Sequence, residues 1–123
     1  MSKKTILIAE DEAIVSLDLK MLLRNHDYIV CSTVSTGEDL IAEYKLKNPD
    51  LIIADLKLKG KVSGVKALRE IRKINNTPVL IISGSYKAKL KKIANSIPNS
   101  EILPKPFEQS DLLYLADKFF KSN

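Results

Sequence analysis

Apolar and polar residues alternate in blocks along the chain, and each block has either the length of a strand or the spacing of a helix. Short apolar runs predict strands over Thr5–Ala9, 28–34, Leu51–Asp55, 79–82 and 101–103. Between them the apolar positions recur at helical intervals. Ile14, Val15, Leu19, Leu22 and Leu23 give a first helical face, ending near Asn25-His26-Asp27. A second helix opens at Thr36-Gly37-Glu38, carries Leu40, Ile41 and Tyr44, and closes at Asn48-Pro49. After a loop over 57–63 rich in Lys and Gly, Val65, Leu68, Ile71 and Ile74 mark a third, and Pro78 stands at the start of the fourth strand. The stretch 86–97 predicts a fourth helix, less apolar and lysine-bearing. The last, about Gln109–Lys121, buries Leu112, Leu113, Leu115, Ala116 and Phe119 or Phe120. Alternating strands and helices of this length imply an α/β fold, a (βα)5 doubly wound parallel sheet of order 2-1-3-4-5, flavodoxin-like.

Composition narrows the class. A chain of 123 residues fits one domain, and 45% hydrophobic with 28% charged residues describes a globular protein rather than a disordered one. The net charge of +5 comes from many lysines, several of them (Lys87, Lys89, Lys91, Lys92) on the fourth helix. A solvated helix face is the plain reading of that run, and a docking surface for an acidic partner is the functional one. Cys31 is the only cysteine, so an internal disulfide is excluded, and an inert thiol in a buried strand is expected. Residues 1–4 run into the first strand without an apolar leader, and no run approaches the ~20 apolar residues of a membrane span. A cytoplasmic protein without membrane contact follows as the expectation. Direct nucleic-acid binding is not expected either, since one helix after Phe107 leaves no room for a helix-turn-helix.

Chemistry gathers at the strand ends. The first run ends in Glu10-Asp11-Glu12, the third in Asp55, the fourth in Ser83-Gly84 and the fifth in Lys105-Pro106-Phe107. In an open parallel sheet the carboxyl ends of the strands share one crevice, so these residues should meet. Acids brought together repel unless a cation joins them, which calls for a hard divalent ion such as Mg2+ on Glu10, Asp11 and Asp55. A carboxylate can attack phosphorus to give a labile mixed anhydride. The Lys105 ammonium and the Ser83 hydroxyl then suit the equatorial phosphoryl oxygens, with Gly84 leaving space and offering its N–H. Each motif singly has a structural explanation: a helix cap, a strand-end acid, a turn, a rigid loop.

Together the four motifs resemble the receiver domain of two-component response regulators, the CheY-like family, over essentially the whole chain. The resemblance implies a single receiver domain over 1–123 with no output domain. Asp55 would accept a phosphoryl group from the phosphohistidine of a sensor histidine kinase or a phosphotransfer protein. It further implies a Mg2+ site completed by the Lys57 backbone carbonyl, and a cis Lys105-Pro106 bond. Catalysis would be limited to the chain's own phosphorylation and dephosphorylation. A downstream protein target is expected on the fourth helix, fifth strand and fifth helix, and a phosphorylation-linked homodimer remains open.

Some positions depart from the family pattern. Glu10-Asp11 replaces the commoner Asp-Asp, which a water-mediated metal contact accommodates. The loop after Asp55 lacks a proline, Gly64 falls one residue late and Ser63 stands where Asp often precedes it. Ile102 replaces the usual Tyr or Phe, so the aromatic part of the signalling route is missing. Lys57 and Ser85 occupy positions that tune phosphoryl lifetime. His26, between Asn25 and Asp27 at a turn, is expected to be structural. Two alternatives stay open beside the switch: a phosphorylation-independent pseudo-receiver that only binds partners, and a flavin or nucleotide carrier. The carrier lacks any P-loop or G-x-G-x-x-G.

Overall fold

The computed structural model describes residues 3–84 and 87–121, with the side chains of 87 and 88 left out. In chain order its elements are β1 (Thr5–Ala9), α1 (Ala13–Asn25), β2 (Ile29–Val34), α2 (Gly37–Lys47), β3 (Leu51–Asp55), α3 (Gly64–Ile74), β4 (Val79–Ser83), α4 (Lys87–Asn95), β5 (Ser100–Pro104) and α5 (Gln109–Lys121). All strand pairs are parallel, and their order is β2-β1-β3-β4-β5, as the sequence predicts.

The period of two along each strand divides the apolar runs between two cores. Leu7, Ala9, Ile52, Ala54, Val79 and Ile81 face the side covered by α2, α3 and α4, where they meet Leu40, Leu68, Ile71 and Leu90. Ile6, Ile8, Leu51, Ile53, Leu80 and Ile82 face α1 and α5, packing on Leu19, Leu23, Leu112 and Ala116. Both faces being covered explains why the central strands read as unbroken apolar runs. At the sheet edge, β2 is only partly covered and Cys31 is half-buried rather than buried, its thiol 3.5 Å from the Ile6 carbonyl.

Two apolar residues lie elsewhere than expected. The helical spacing places Ile14 on the apolar face of the first helix, yet it is 77% exposed, because the face pressed on the sheet is set by Val15, Leu19, Leu22 and Leu23. Position 14 falls instead in register with exposed Leu17 and Met21, one step round the helix. Ile74, the last residue of α3, is also exposed, where the chain leaves the sheet to turn towards β4. Element ends shift by a residue or two. β2 begins at Ile29, β4 extends to Ser83, and β5 runs one residue further at each end. α4 stops at Asn95 and continues as a tighter turn, Ser96 and Ile97 donating to the carbonyls of Ile93 and Ala94. The expected helix start at Tyr86, and Ser85, lie outside the described residues.

Two helix starts are capped by a local side chain, whereas Glu12 at the start of α1 makes no side-chain cap hydrogen bond. Thr36 accepts from the Asp39 amide at α2, and Ser63 accepts from the Lys66 amide at α3. Ser63 therefore performs the capping that its position requires. No helix among the described residues is long and apolar enough to cross a membrane.

Candidate functional site

Strand register builds the site as a staircase. Ala9 pairs with Ala54, so Glu10 follows β1 beside Asp55 at the end of β3. Asp55 pairs with Ile82, which puts Ser83 one step on, and Ser83 pairs with Pro104, which puts Lys105 one step further. Glu10, Asp55, Ser83 and Lys105 thus stand at or just past the ends of β1, β3, β4 and β5, held by the backbone pairing below them. The Lys105 amide donates to the Ser83 carbonyl at 2.8 Å, joining the last two steps. The Lys105-Pro106 peptide bond is cis.

The structure brings all seven sequence-predicted site residues to this rim. Lys105 Nζ lies 2.7 Å from both Glu10 Oε1 and Asp55 Oδ2, and 3.9 Å from Glu12 Oε1. Glu10 Oε2 accepts the Glu12 amide at 3.0 Å, and Asp55 Oδ1 accepts the Lys57 amide at 3.0 Å. Glu10 and Asp55 are buried, 2% and 5% exposed, so their charges depend on these partners. Burial raises the Glu10 carboxyl above its ordinary value, against the opposing pull of the Lys105 and Glu12 hydrogen bonds. Burial by itself would lower the Lys105 ammonium. The bonds to Asp55 and Glu10 outweigh it and hold that pKa above the ordinary value.

Oxygens of Glu10, Asp11 and Asp55 lie within 4.8 Å of one another. Three carboxylates at that spacing are a hard-oxygen donor set suited to Mg2+, and a single ammonium partly offsets their charge. Glu12, Asp55, Lys57, Ser83, Gly84 and Lys105 line an open cleft of about 290 Å3 beside the cluster. Ser83 is buried at its wall, and a Cβ on Gly84 would meet none of the described residues within 4 Å. Gly64 is required by close packing: a Cβ there would lie 2.6 Å from the Asp55 carbonyl oxygen.

Away from this rim, His26 Nε2 lies 3.1 Å from Asp117 Oδ2, and Asp117 also accepts from the Tyr28 hydroxyl. These contacts tie the end of α1 to α5, a structural place for the histidine. Ile102 is half-buried against the core beneath α4. Lys89, Lys91 and Lys92 are exposed.

One functional candidate was missed from sequence. Glu38, read only as part of a helix start, reaches from α2 to the 57–63 loop. Gly60 in that loop has φ +92°, and its isolated position among lysines was the one available signal.

Residues 6–117 match the response regulator receiver domain family. The transcriptional regulatory protein PdtaR of Mycobacterium tuberculosis is 31% identical over 110 residues, covering 89% of this chain and 53% of the relative. The chain therefore spans about half the length of that curated relative. Among solved structures, the response regulator receiver protein from Sinorhizobium medicae superposes with a TM-score of 0.86 at 31% identity, covering 98% of this chain and 97% of that one. The receiver domain of sensor histidine kinase PA1611 from Pseudomonas aeruginosa, with a magnesium ion in its active-site cleft, has the same fold at 22% identity, with a TM-score of 0.86 and coverage of 98% and 100%.

Proposed function

The chain belongs to the response regulator receiver domain family, and we propose that it is a phosphorylation-dependent switch in which Asp55 accepts a phosphoryl group from a phosphohistidine. The observation that carries this reading is the buried Asp55 carboxylate, 2.7 Å from the Lys105 ammonium and grouped with Glu10 and Asp11. A structural role needs no such concentration of buried charge, since desolvating these groups costs more than apolar packing would.

The reaction makes and breaks one bond at phosphorus. An Asp55 oxygen forms the new O–P bond while the P–N bond of the phosphohistidine breaks, and its electron pair leaves on the imidazole nitrogen. Mg2+ on Asp11, Asp55, the Lys57 carbonyl and, through water, Glu10 would neutralise the charge that repels an incoming phosphoryl group. Its presence in the Pseudomonas receiver supports the same ion here. Lys105 then exchanges part of its contact with Asp55 for a phosphoryl oxygen, and the Ser83 hydroxyl takes another. Dephosphorylation reverses the balance: water attacks phosphorus, the O–P bond breaks, and inorganic phosphate leaves with Asp55 a carboxylate again. Catalysis is confined to these two steps on the chain's own residue.

Output passes to a protein partner through α4, β5 and α5. On that surface Lys89, Lys91 and Lys92 are exposed along α4, which favours an acidic partner at this helix. Ile102 has no ring to reorient, so the signal runs through Ser83 and the segment that follows it.

Mg2+-dependent binding of beryllofluoride, a phosphoryl mimic, tests the reading against Asp55→Asn. Saturable binding in wild type, lost in the variant, with amide shifts reaching α4 and β5, is the expected result. An intact fold that binds no mimic would leave the pseudo-receiver reading in its place.

A further inference from the structure

The 56–63 segment contains the Lys57 carbonyl proposed to face the metal, yet it has no strand or helix to hold its shape. Its near end is fixed by β3, through the Lys57 amide on Asp55 and the Gly64 amide on the Leu56 carbonyl at 3.1 Å. Its far side is fixed by the start of α2. Glu38 Oε1 accepts the Val62 amide at 3.0 Å, and Oε2 accepts the Lys61 amide at 3.3 Å. The backbone at Gly60 passes so close that a Cβ there would stand 2.7 Å from Glu38 Oε1, in a φ +92° conformation that side chains rarely adopt. Gly37 lies flush on the same loop, where a Cβ would meet the Val62 carbonyl oxygen at 2.2 Å. The Lys59 amide completes the junction by donating to the Ser35 carbonyl at 3.1 Å.

We propose that Glu38 is a positioning residue for the Asp55 site, its carboxylate clasping successive loop amides so that the Lys57 carbonyl stays turned to the acid cluster. This rests on the phosphoacceptor reading. An acid in the first turn of a helix is ordinarily explained by the helix dipole. Here both carboxylate oxygens are spent on another element, and two glycines make room for the approach. The Val62 amide, Glu38's own amide and the Lys61 amide hold the carboxyl below its ordinary range, as an anion fixed by donors should be.

The test measures Mg2+ affinity by NMR titration of the labelled full chain. Glu38→Ala should weaken Mg2+ binding roughly tenfold, the lower end of what losing outer-shell support costs a metal site. Glu38→Gln keeps one acceptor oxygen and should recover part of the loss. Gly60→Ala, which breaks the clasp from the loop side, should behave like Glu38→Ala. Thr36→Ala removes the α2 cap on the Asp39 amide but leaves the clasp, so it should lower Tm and keep wild-type affinity. Without metal, the Lys61 and Val62 amides should shift and exchange faster in Glu38→Ala while β3 amides stay protected. Wild-type affinity in Glu38→Ala, or an equal loss in Thr36→Ala, overturns the inference and leaves the phosphoacceptor site standing. A wild-type chain that binds no Mg2+ overturns both.

Discussion

At the N-terminal rim of the sheet, Asp50 Oδ2 accepts both the amide and hydroxyl of Thr5, at 2.8 and 3.1 Å, and the Tyr44 and Thr77 hydroxyls meet at 2.7 Å. Arg72 donates to the Asn75 and Thr77 carbonyls at 2.9 and 2.8 Å. At the opposite rim the same strands deliver buried Glu10 and Asp55 and half-buried Lys105, ions that hold one another. The Thr5, Asp50, Tyr44 and Thr77 side chains at the first rim are closed on neutral or backbone partners, while Lys3 and Asp27 pair at the surface at 3.0 Å and the buried Arg72 Nε has no hydrogen-bond partner among the described residues. Those at the second are like charges gathered around one cation, an arrangement that stabilises the fold poorly and suits exchange of one cation for another. The candidate site and the closed polar contacts of the fold are thus separated by the length of a strand.

Lys105→Met breaks that contrast most severely. It leaves Glu10 and Asp55 buried without their cation, and should cost roughly 2–3 kcal/mol, short of a fully buried pair's cost because Lys105 is 21% exposed. Added Mg2+ should restore much of the loss, seen as a Tm that rises more with Mg2+ than wild type's does. A loss that Mg2+ leaves unchanged would place Lys105 among the structural contacts.

Tyr44→Phe makes the matching change at the other rim. It strands the buried Thr77 hydroxyl and should cost about 1–2 kcal/mol in denaturant unfolding. Mg2+ and beryllofluoride affinities should not move, since this pair lies at the far end of the strands. Any change in Mg2+ affinity would mean that the rims are coupled.

The two rims differed in legibility as they differ in chemistry. The rim with the candidate site was readable because its residues close apolar runs, where a parallel sheet must gather them. Even the lysine at the fifth strand could be placed by order of elements. The Tyr44–Thr77 contact and the Glu38 clasp could not, since each joins segments far apart in sequence without a repeating local pattern. Ile14 shows a different limit. On α1 two adjacent helical phases both carry apolar residues, and periodicity does not say which one the sheet covers. Cys31 was misjudged for a related reason: an apolar run reads alike in a central strand and at an edge.

Acid separates the rims by sign. Glu10's carboxyl is raised by burial, so the native state binds its proton before the unfolded chain does, and stability from this group grows as pH falls through the raised value. Asp117 is the reverse case. Burial pushes its carboxyl up, but the Tyr28 and His26 hydrogen bonds outweigh that and hold it below the ordinary value. Its contribution is complete above the ordinary carboxylate pKa and is lost as pH falls towards the lowered one. Unfolding free energies measured across the acid range should therefore gain with Glu10→Gln near neutrality and lose the rise on acidification. Asp117→Asn should lose stability near neutrality and lose the acid decline. Parallel profiles for the two variants would erase the distinction.

The smallest effect sharpens the comparison by isolating the site from the fold. Gly84 is exposed at the cleft, and a Cβ there would meet none of the described residues within 4 Å. Gly60 is the only glycine with positive φ among the described residues, so the Gly84 backbone needs no special freedom. Gly84→Ala should accordingly leave stability within about 0.5 kcal/mol of wild type. The occupied cleft offers a reason for a glycine at 84, since an added methyl would compete with a phosphoryl oxygen for room. Beryllofluoride titration should show weaker binding than wild type, though far short of the loss in Asp55→Asn. Equal affinity would reduce Gly84 to a turn residue, and a large fall in Tm would mean that this corner of the site also supports the fold.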